Sequence, residues 1–342
     1  MKQLRGATRI PAYEGVLRCP TGEHSKALKY LGEQLFFKGC DTQADLVSRV
    51  GREEASIVKE ITLRKFLKFL EEDVPFWDVT TDAVIPKNIT IRAQIIAKQS
   101  GVVACVEDVA YFLKRLGLEV KELVKDGDVV NRGAQVLEIV GDARTVLVIE
   151  RTTLNILMHC SGVATEVRNL VDIVKKVNPR VKVAATRKTL PGLRYFEKKA
   201  VAVGGGDTHR LSLSDTILIK DNHVMIVGSV EEAVKLAKER ASFTHKVEVE
   251  VSSIEDAIKA AEAGADIVML DNMPPQEVAK VVEELRKRGL RDRVVIEVSG
   301  GITAENIAEY AKLDIDVISC GYITLSARAL DMSLEIIEVI RR

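Results

Sequence analysis

From about residue 58 onward the apolar positions fall into periods. Ile61, Leu63, Phe66, Leu67 and Leu70 recur at helical spacing and predict a helix running into Glu71-Glu72-Asp73. Ile89-Thr90-Ile91-Arg92-Ala93-Gln94-Ile95-Ile96-Ala97 alternates with a period of two and predicts a strand. Residues 104–116 read as a helix stopped at Gly117, and Lys125-Asp126-Gly127-Asp128 and Asn131-Arg132-Gly133 as tight turns between short strands. These elements make residues 58–150 an α+β unit. A longer helical pattern covers 144–177, with Leu154, Leu157, Met158, Cys160 and Val163 on one side. Ser161 and Gly162 would let another backbone approach it, and its part over 151–177 is expected to bridge two domains or two subunits.

After that the alternation becomes regular. Apolar runs at 181–186, 216–220, 246–251, 266–271, 294–299 and 316–320 are separated by helical stretches at 229–240, 253–263, 274–288 and 303–311. Successive β/α units of this kind predict parallel strands with covering helices, an α/β fold in which residues 178–322 form a β/α barrel, complete or incomplete. Residues 323–342 predict a terminal amphipathic helix. Residues 1–57 behave differently. Pro11, Cys19-Pro20-Thr21-Gly22 and Gly39-Cys40-Asp41 interrupt a stretch whose apolar residues keep no period. It reads as a weakly structured or peripheral appendage, or as an over-extended start of the reading frame.

Composition narrows the functional classes. The 342 residues carry 50 basic and 50 acidic side chains, so the chain is neutral and lacks the broad basic excess of a nucleic-acid surface. No apolar run approaches the ~18 residues of a membrane span, and no signal-peptide core is present, so a cytoplasmic location is expected. Cys19, Cys40, Cys105, Cys160 and Cys320 form no C-x-x-C pair and are expected to be reduced thiols without zinc. Against this neutral background, residues 184–223 hold seven Lys and Arg against four acids, together with His209 and His223. Such a focus suits a small polyanionic ligand.

The polar residues also fall at one level. Arg187 and Lys188 follow the first barrel strand, Lys220 ends the second, Glu250 lies near the end of the third and Asp271 ends the fourth. Ser299-Gly300-Gly301 ends the fifth, and Gly321 follows the sixth. All are at carboxyl ends, the face on which β/α barrels build their sites. Gly300, Gly301 and Gly321, with Thr303 opening a helix, offer backbone N–H groups to a phosphate monoester. Glu250 and Asp271 are paired carboxylates suited to Mg2+ held with sugar hydroxyls and a pyrophosphate, general acid–base work being the competing role. Arg187, Arg210, Lys220 and His209 remain to grip a second anion, and an Arg fork matches a carboxylate. His24, His159 and His245 are expected to be structural, and His223 to satisfy a backbone group.

At this point the order of motifs resembles a known family. The motifs are Glu150-Arg151-Thr152-Thr153-Leu154-Asn155, Ser161-Gly162-Val163-Ala164-Thr165, Thr186-Arg187-Lys188-Thr189-Leu190-Pro191-Gly192, and Gly204-Gly205-Gly206 through His209-Arg210. They continue with Ile219-Lys220-Asp221-Asn222-His223, Val247-Glu248-Val249-Glu250-Val251, Leu270-Asp271-Asn272 and Ser299-Gly300-Gly301-Ile302-Thr303. Together with the Asp78-Val79-Thr80-Thr81 loop they resemble quinolinate phosphoribosyltransferases, the carboxylating nicotinate-nucleotide pyrophosphorylases, from roughly residue 60 to the C-terminus. The resemblance implies an N-terminal α/β sandwich and an open, incomplete β/α barrel in a homodimer or higher homo-oligomer with a shared active site. It implies transfer from 5-phosphoribosyl 1-pyrophosphate to quinolinate with decarboxylation, giving nicotinate mononucleotide for NAD biosynthesis, with Mg2+ as cofactor. By the matched motifs, Arg151 would cross the subunit interface, while Arg187, His209, Arg210 and Lys220 hold quinolinate. Lys188, Glu250, Asp271, Ser299, Gly300, Gly301 and Gly321 would contact the pyrophosphorylated sugar. The chain departs from the pattern at Thr208, where Asn is common, at Leu325, where several members carry His, and in its 57-residue extension.

Overall fold

The computed structural model describes residues 43–341. Residues 1–42, most of the expected appendage, lie outside the described residues, and 43–57 begin the helix Gln43–Asp73. Val58–Arg342 forms one compact unit. Its first strands are β1 (Ile89–Ala97), β2 (Gly101–Val102), β3 (Glu119–Glu122), β4 (Val129–Val130) and β5 (Gln135–Asp142). There follow β6 (Lys182–Ala184), β7 (Ile217–Ile219), β8 (Val247–Val251), β9 (Ile267–Asp271), β10 (Val295–Ser299), β11 (Val317–Ser319) and β12 (Met332–Arg341).

The alternation in β1 puts Ile91, Ala93, Ile95 and Ala97 in the core, and the strand pairs antiparallel with β5 and β12 in a four-stranded sheet of order β12-β1-β5-β3. Phe66 of the first helix meets Phe112 of the helix Val106–Arg115 with ring centroids 5.0 Å apart, and Phe112 meets Phe196 edge-on at 6.3 Å. Phe196 belongs to the helix Arg194–Gly204, which packs on the barrel side, so these rings join the two halves of the unit. Each fully buried aromatic contributes on the order of 1.5–3 kcal/mol.

A 35-residue helix, Ala143–Val177, links the sheet to the barrel. Its start is capped by Asp142, whose carboxylate accepts from the Thr145 N–H at 2.9 Å. Small residues on it admit other backbone, as expected. Ser161 Oγ accepts from the Ala104 N–H at 3.1 Å, and a Cβ on Gly162 would collide with the Arg328 backbone.

The six strands β6-β11-β10-β9-β8-β7 lie parallel in that order, with β6 and β7 as unjoined edges. The architecture is therefore an N-terminal α/β sandwich followed by an open β/α barrel. On the free edge of β6 the segment after Gly204-Gly205-Gly206 is bound instead. Ala185 N–H donates to the Asp207 carbonyl at 2.9 Å, and Asp207 N–H to the Val183 carbonyl at 2.7 Å. The open seam is thus where His209 and Arg210 are mounted.

The expected C-terminal helix over 323–342 is a correction. Only Tyr322–Leu325 is helical, and β12 runs antiparallel along β1. The register steps from Arg92↔Glu338 to Ala93↔Ile336, which leaves Ile337 as an unpaired bulge residue. That extra residue breaks the two-residue alternation and lets the segment read at a helical period. Its β-branched residues favour the strand once β1 offers a free edge to pair with.

Candidate active site

Along the barrel strands, alternate residues face helices and interior. Val247, Val249 and Val251 are buried under helices, while Glu248 and Glu250 point inward; Val268 and Leu270 are likewise buried, with Met269 and Asp271 inward. At the carboxyl end a cavity of about 430 Å3 opens. Ten of the twelve candidate residues line it: Arg187, Lys188, His209, Arg210, Lys220, Glu250, Asp271, Ser299, Gly300 and Gly301. Residues more than a hundred positions apart converge because the parallel strands end at one rim.

The acidic side is tightly tied. Lys220 Nζ donates to Glu250 Oε2 at 2.7 Å, and Asn272 Nδ2 donates to Asp271 Oδ2 at 2.7 Å. Burial, and then the nearby Glu250 carboxylate, raise the Asp271 carboxyl above its ordinary value, against the pull of Lys188 and Lys220. A divalent cation between these two carboxylates would relieve that repulsion, so the donor set fits Mg2+. Gly300, at φ 89°, turns the chain beside Asn272, and a Cβ there would strike the Asn272 amide.

On the basic side, Glu197 is buried and shapes the loop after Arg187 and Lys188. It accepts from the Leu190 N–H at 3.1 Å and contacts His159 Nε2 at 2.9 Å, which makes His159 structural as expected. Arg187 Nε is buried without an acceptor among the described residues, a donor left for an anion. Lys198, also buried, donates to the Thr208 carbonyl just before His209; burial, reinforced by Arg194, lowers its ammonium to about 8. His223 Nδ1 accepts from the Lys220 N–H at 2.9 Å, the backbone role expected of it.

His209 has φ 51°, held by its N–H donating to Asp207 Oδ1 at 2.8 Å. Its Nε2 lies 3.1 Å from Glu297 Oε2 and 3.6 Å from Glu248 Oε1. Burial opposes charge on the ring, but the hydrogen bonds and fields of Glu248 and Glu297 outweigh it and push the imidazole up to about 10. The Arg210 N–H, 2.8 Å from Nδ1, favours the neutral ring and opposes these carboxylates, of which Glu248 is itself held above its ordinary value by burial.

Two candidates lie elsewhere. Gly321 is outside the cavity lining and packs against the Lys188 side chain. Arg151 is exposed in a separate cavity with Phe69, Glu72, Asp73, Asn155 and Leu193, so one protomer does not bring it to Arg187. Conversely, Glu248 and Glu297 escaped sequence reading. The available signal was their spacing: each stands two residues before a rim residue, Glu250 and Ser299, and so shares its inward face.

Known proteins resemble the chain over both of its halves. The model of the quinolinate phosphoribosyl transferase N-terminal domain matches residues 78–161, and that of the C-terminal domain residues 163–335. A probable nicotinate-nucleotide pyrophosphorylase (carboxylating) of Archaeoglobus fulgidus is 51% identical over 265 residues, 78% of this chain and 100% of that one. The Homo sapiens nicotinate-nucleotide pyrophosphorylase (carboxylating) is 38% identical over 283 residues, 82% of this chain and 94% of that one. Among solved structures, NadC from Streptococcus pyogenes superposes with a TM-score of 0.73 at 38% identity, covering 82% of this chain and 97% of that one. On both domains, in sequence and in fold, the chain belongs to the quinolinate phosphoribosyltransferase family.

Proposed function

We propose that this chain transfers the phosphoribosyl group of 5-phosphoribosyl 1-pyrophosphate to quinolinate and releases CO2, giving nicotinate mononucleotide and pyrophosphate. The observation that carries the reading is one cavity with two chemical halves: Arg187, His209, Arg210 and Lys220 on one side, Glu250, Asp271 and the Gly300-Gly301 turn on the other. Four cationic groups are more than one carboxylate needs and match the two of quinolinate. Lys188, Ser299, Gly300 and Gly301 suit the phosphates of the activated sugar, with Gly321 giving Lys188 its place.

Glu250 and Asp271 would hold Mg2+, which when bound neutralises charge on the leaving pyrophosphate. The remaining work falls to the chain. Cationic side chains orient the pyridine nitrogen toward the ribose C1 as the leaving group departs with oxocarbenium character. Once alkylated, the ring nitrogen is cationic, and its charge stabilises the electron pair that stays on C2 when the C2–carboxylate bond breaks and CO2 leaves; a proton from solvent then takes up that pair at C2. The protein needs no covalent nucleophile for that step, only a rigid cationic pocket around the ring.

In this reading the enzyme works in the cytoplasm as a homodimer or larger homo-oligomer, without nucleic acid or membrane partners, and Arg151 enters the neighbouring subunit's cavity. The nearest second reading is transfer to nicotinate without decarboxylation. A human nicotinic acid phosphoribosyltransferase, at 14% identity and a TM-score of 0.53, shares the fold alone. Labelled CO2 from carboxyl-labelled quinolinate, dependent on the pyrophosphorylated sugar, is the expected result, with little turnover of nicotinate. Equal rates on both acids would overturn the proposal.

A further inference from the structure

The barrel interior holds a second cavity of about 540 Å3, toward the amino ends of the strands, lined by Lys182, Thr216, Glu248, Val295 and Val317 among others. It shares His209, Arg210 and Glu297 with the cavity already described, so these three side chains form the partition between the two. Within the partition the carboxylates are unusual. Glu248 and Glu297 are 0% and 2% exposed, and both Glu248 oxygens and Glu297 Oε1 lack a hydrogen-bond partner among the described residues. Burying carboxylates in this way is costly unless a cation compensates them. The imidazole of His209 faces both, 3.1 Å from Glu297 Oε2 and 3.6 Å from Glu248 Oε1.

The loop bearing His209 cannot supply this orientation by itself. The residue has a left-handed backbone in the open seam, and its ring is reached from β8 and β10 across the barrel. We propose that Glu297, backed by Glu248, is a positioning residue: it clamps His209 Nε2 from beneath, and so fixes the orientation and positive charge of the imidazole that floors the quinolinate half of the cavity. This rests on the quinolinate reading of that cavity. The consequence is directional. A carboxylate of the ring acid meets a preorganised cation, while the half that takes the pyrophosphorylated sugar has its own supports in Asn272 and Gly300 and does not depend on Glu297.

The charged groups facing the His209 ring are Glu248 from β8, Glu297 from β10, and Asp207 and Arg210 from its own loop. Two measurements test the clamp. In the wild-type protein, nitrogen NMR of the labelled His209 ring at about pH 8, above the ordinary histidine range, should report an imidazolium; a neutral ring would overturn the proposal without any substitution. In steady-state kinetics, Glu297→Gln, which keeps the shape and removes the charge, should raise the KM for quinolinate on the order of 10- to 100-fold, as loss of a charge-assisted contact does. Its KM for the sugar substrate should stay within about twofold, the ring should become neutral, and Glu297→Asp should recover part of the loss. Unchanged KM for quinolinate, an equal rise for both substrates, or a stoichiometric metal ion that disappears with Glu297→Gln would each refute the clamp. Failure of the quinolinate reading is distinguishable: the wild type would turn over quinolinate no faster than nicotinate, or not at all, and the NMR result would still stand for the clamp alone.

Discussion

A Cβ placed on Gly321 would lie 2.8 Å from Cδ of Lys188, so the glycine after the last barrel strand and the lysine after the first compete for the same space. Gly321 has φ −75°, a conformation open to any residue, and its need for glycine is therefore contact and not backbone. Gly321→Ala is expected to fold with stability changed by under about 1 kcal/mol, since the displaced neighbour is a flexible side chain. The Lys188 ammonium moves, however, and the KM for the pyrophosphorylated sugar should rise on the order of tenfold or more while that for quinolinate changes little. Thermal denaturation beside steady-state kinetics checks both halves, and a loss of stability without a kinetic effect would contradict the relationship.

The separation of Arg151 from the main cavity makes a second prediction. Alone, Arg151→Ala and Lys188→Ala should each be nearly inactive. Mixed and allowed to exchange subunits, they should recover about a quarter of wild-type activity, because half of random dimers are hybrids with one intact site. No recovery after proven exchange would place Arg151 outside the reaction.

The paired acids yield a third. Chelation of divalent metal should stop turnover, and added Mg2+ should restore it. Asp271→Asn should lower kcat/KM on the order of 100-fold and increase the Mg2+ concentration needed for half-maximal rate. Full activity in metal-free buffer would return these carboxylates to the competing acid–base role.

His209 sets a pH dependence of stability. Its folded value of about 10 is above the ordinary 6.5, so the native protein holds a proton that the unfolded chain releases. The stabilisation is complete below about pH 6.5 and is lost as pH rises toward 10. Lys198, lowered to about 8 from 10.5, works with the opposite sign above pH 8, so the comparison must be with a variant. The stability advantage of wild type over His209→Gln in urea denaturation should shrink by on the order of 2 kcal/mol across this interval. An advantage that stays constant would mean that the ring is neutral throughout.

Much of this protein was legible in the chain because the relevant signals are local. Apolar periodicity placed the barrel strands, and the polar residue closing each strand named Arg187, Lys220, Glu250, Asp271 and Ser299 as neighbours, since parallel strands must end together. Other features depend on what lies across space. Met332–Arg341 became a strand because β1 had an edge to offer, a fact absent from the segment itself. Glu248 and Glu297 look like ordinary mid-strand acids until the barrel curls and turns both toward His209. Arg151 shares a motif-rich chain with the other cations yet opens into a different cavity, because a long rigid helix fixes where its side chain emerges. Sequence by itself determined which chemistry the rim carries; only the tertiary structure decided which charges meet, because pairing across a sheet and burial between distant strands are settled by the whole packed chain and by no short stretch of it.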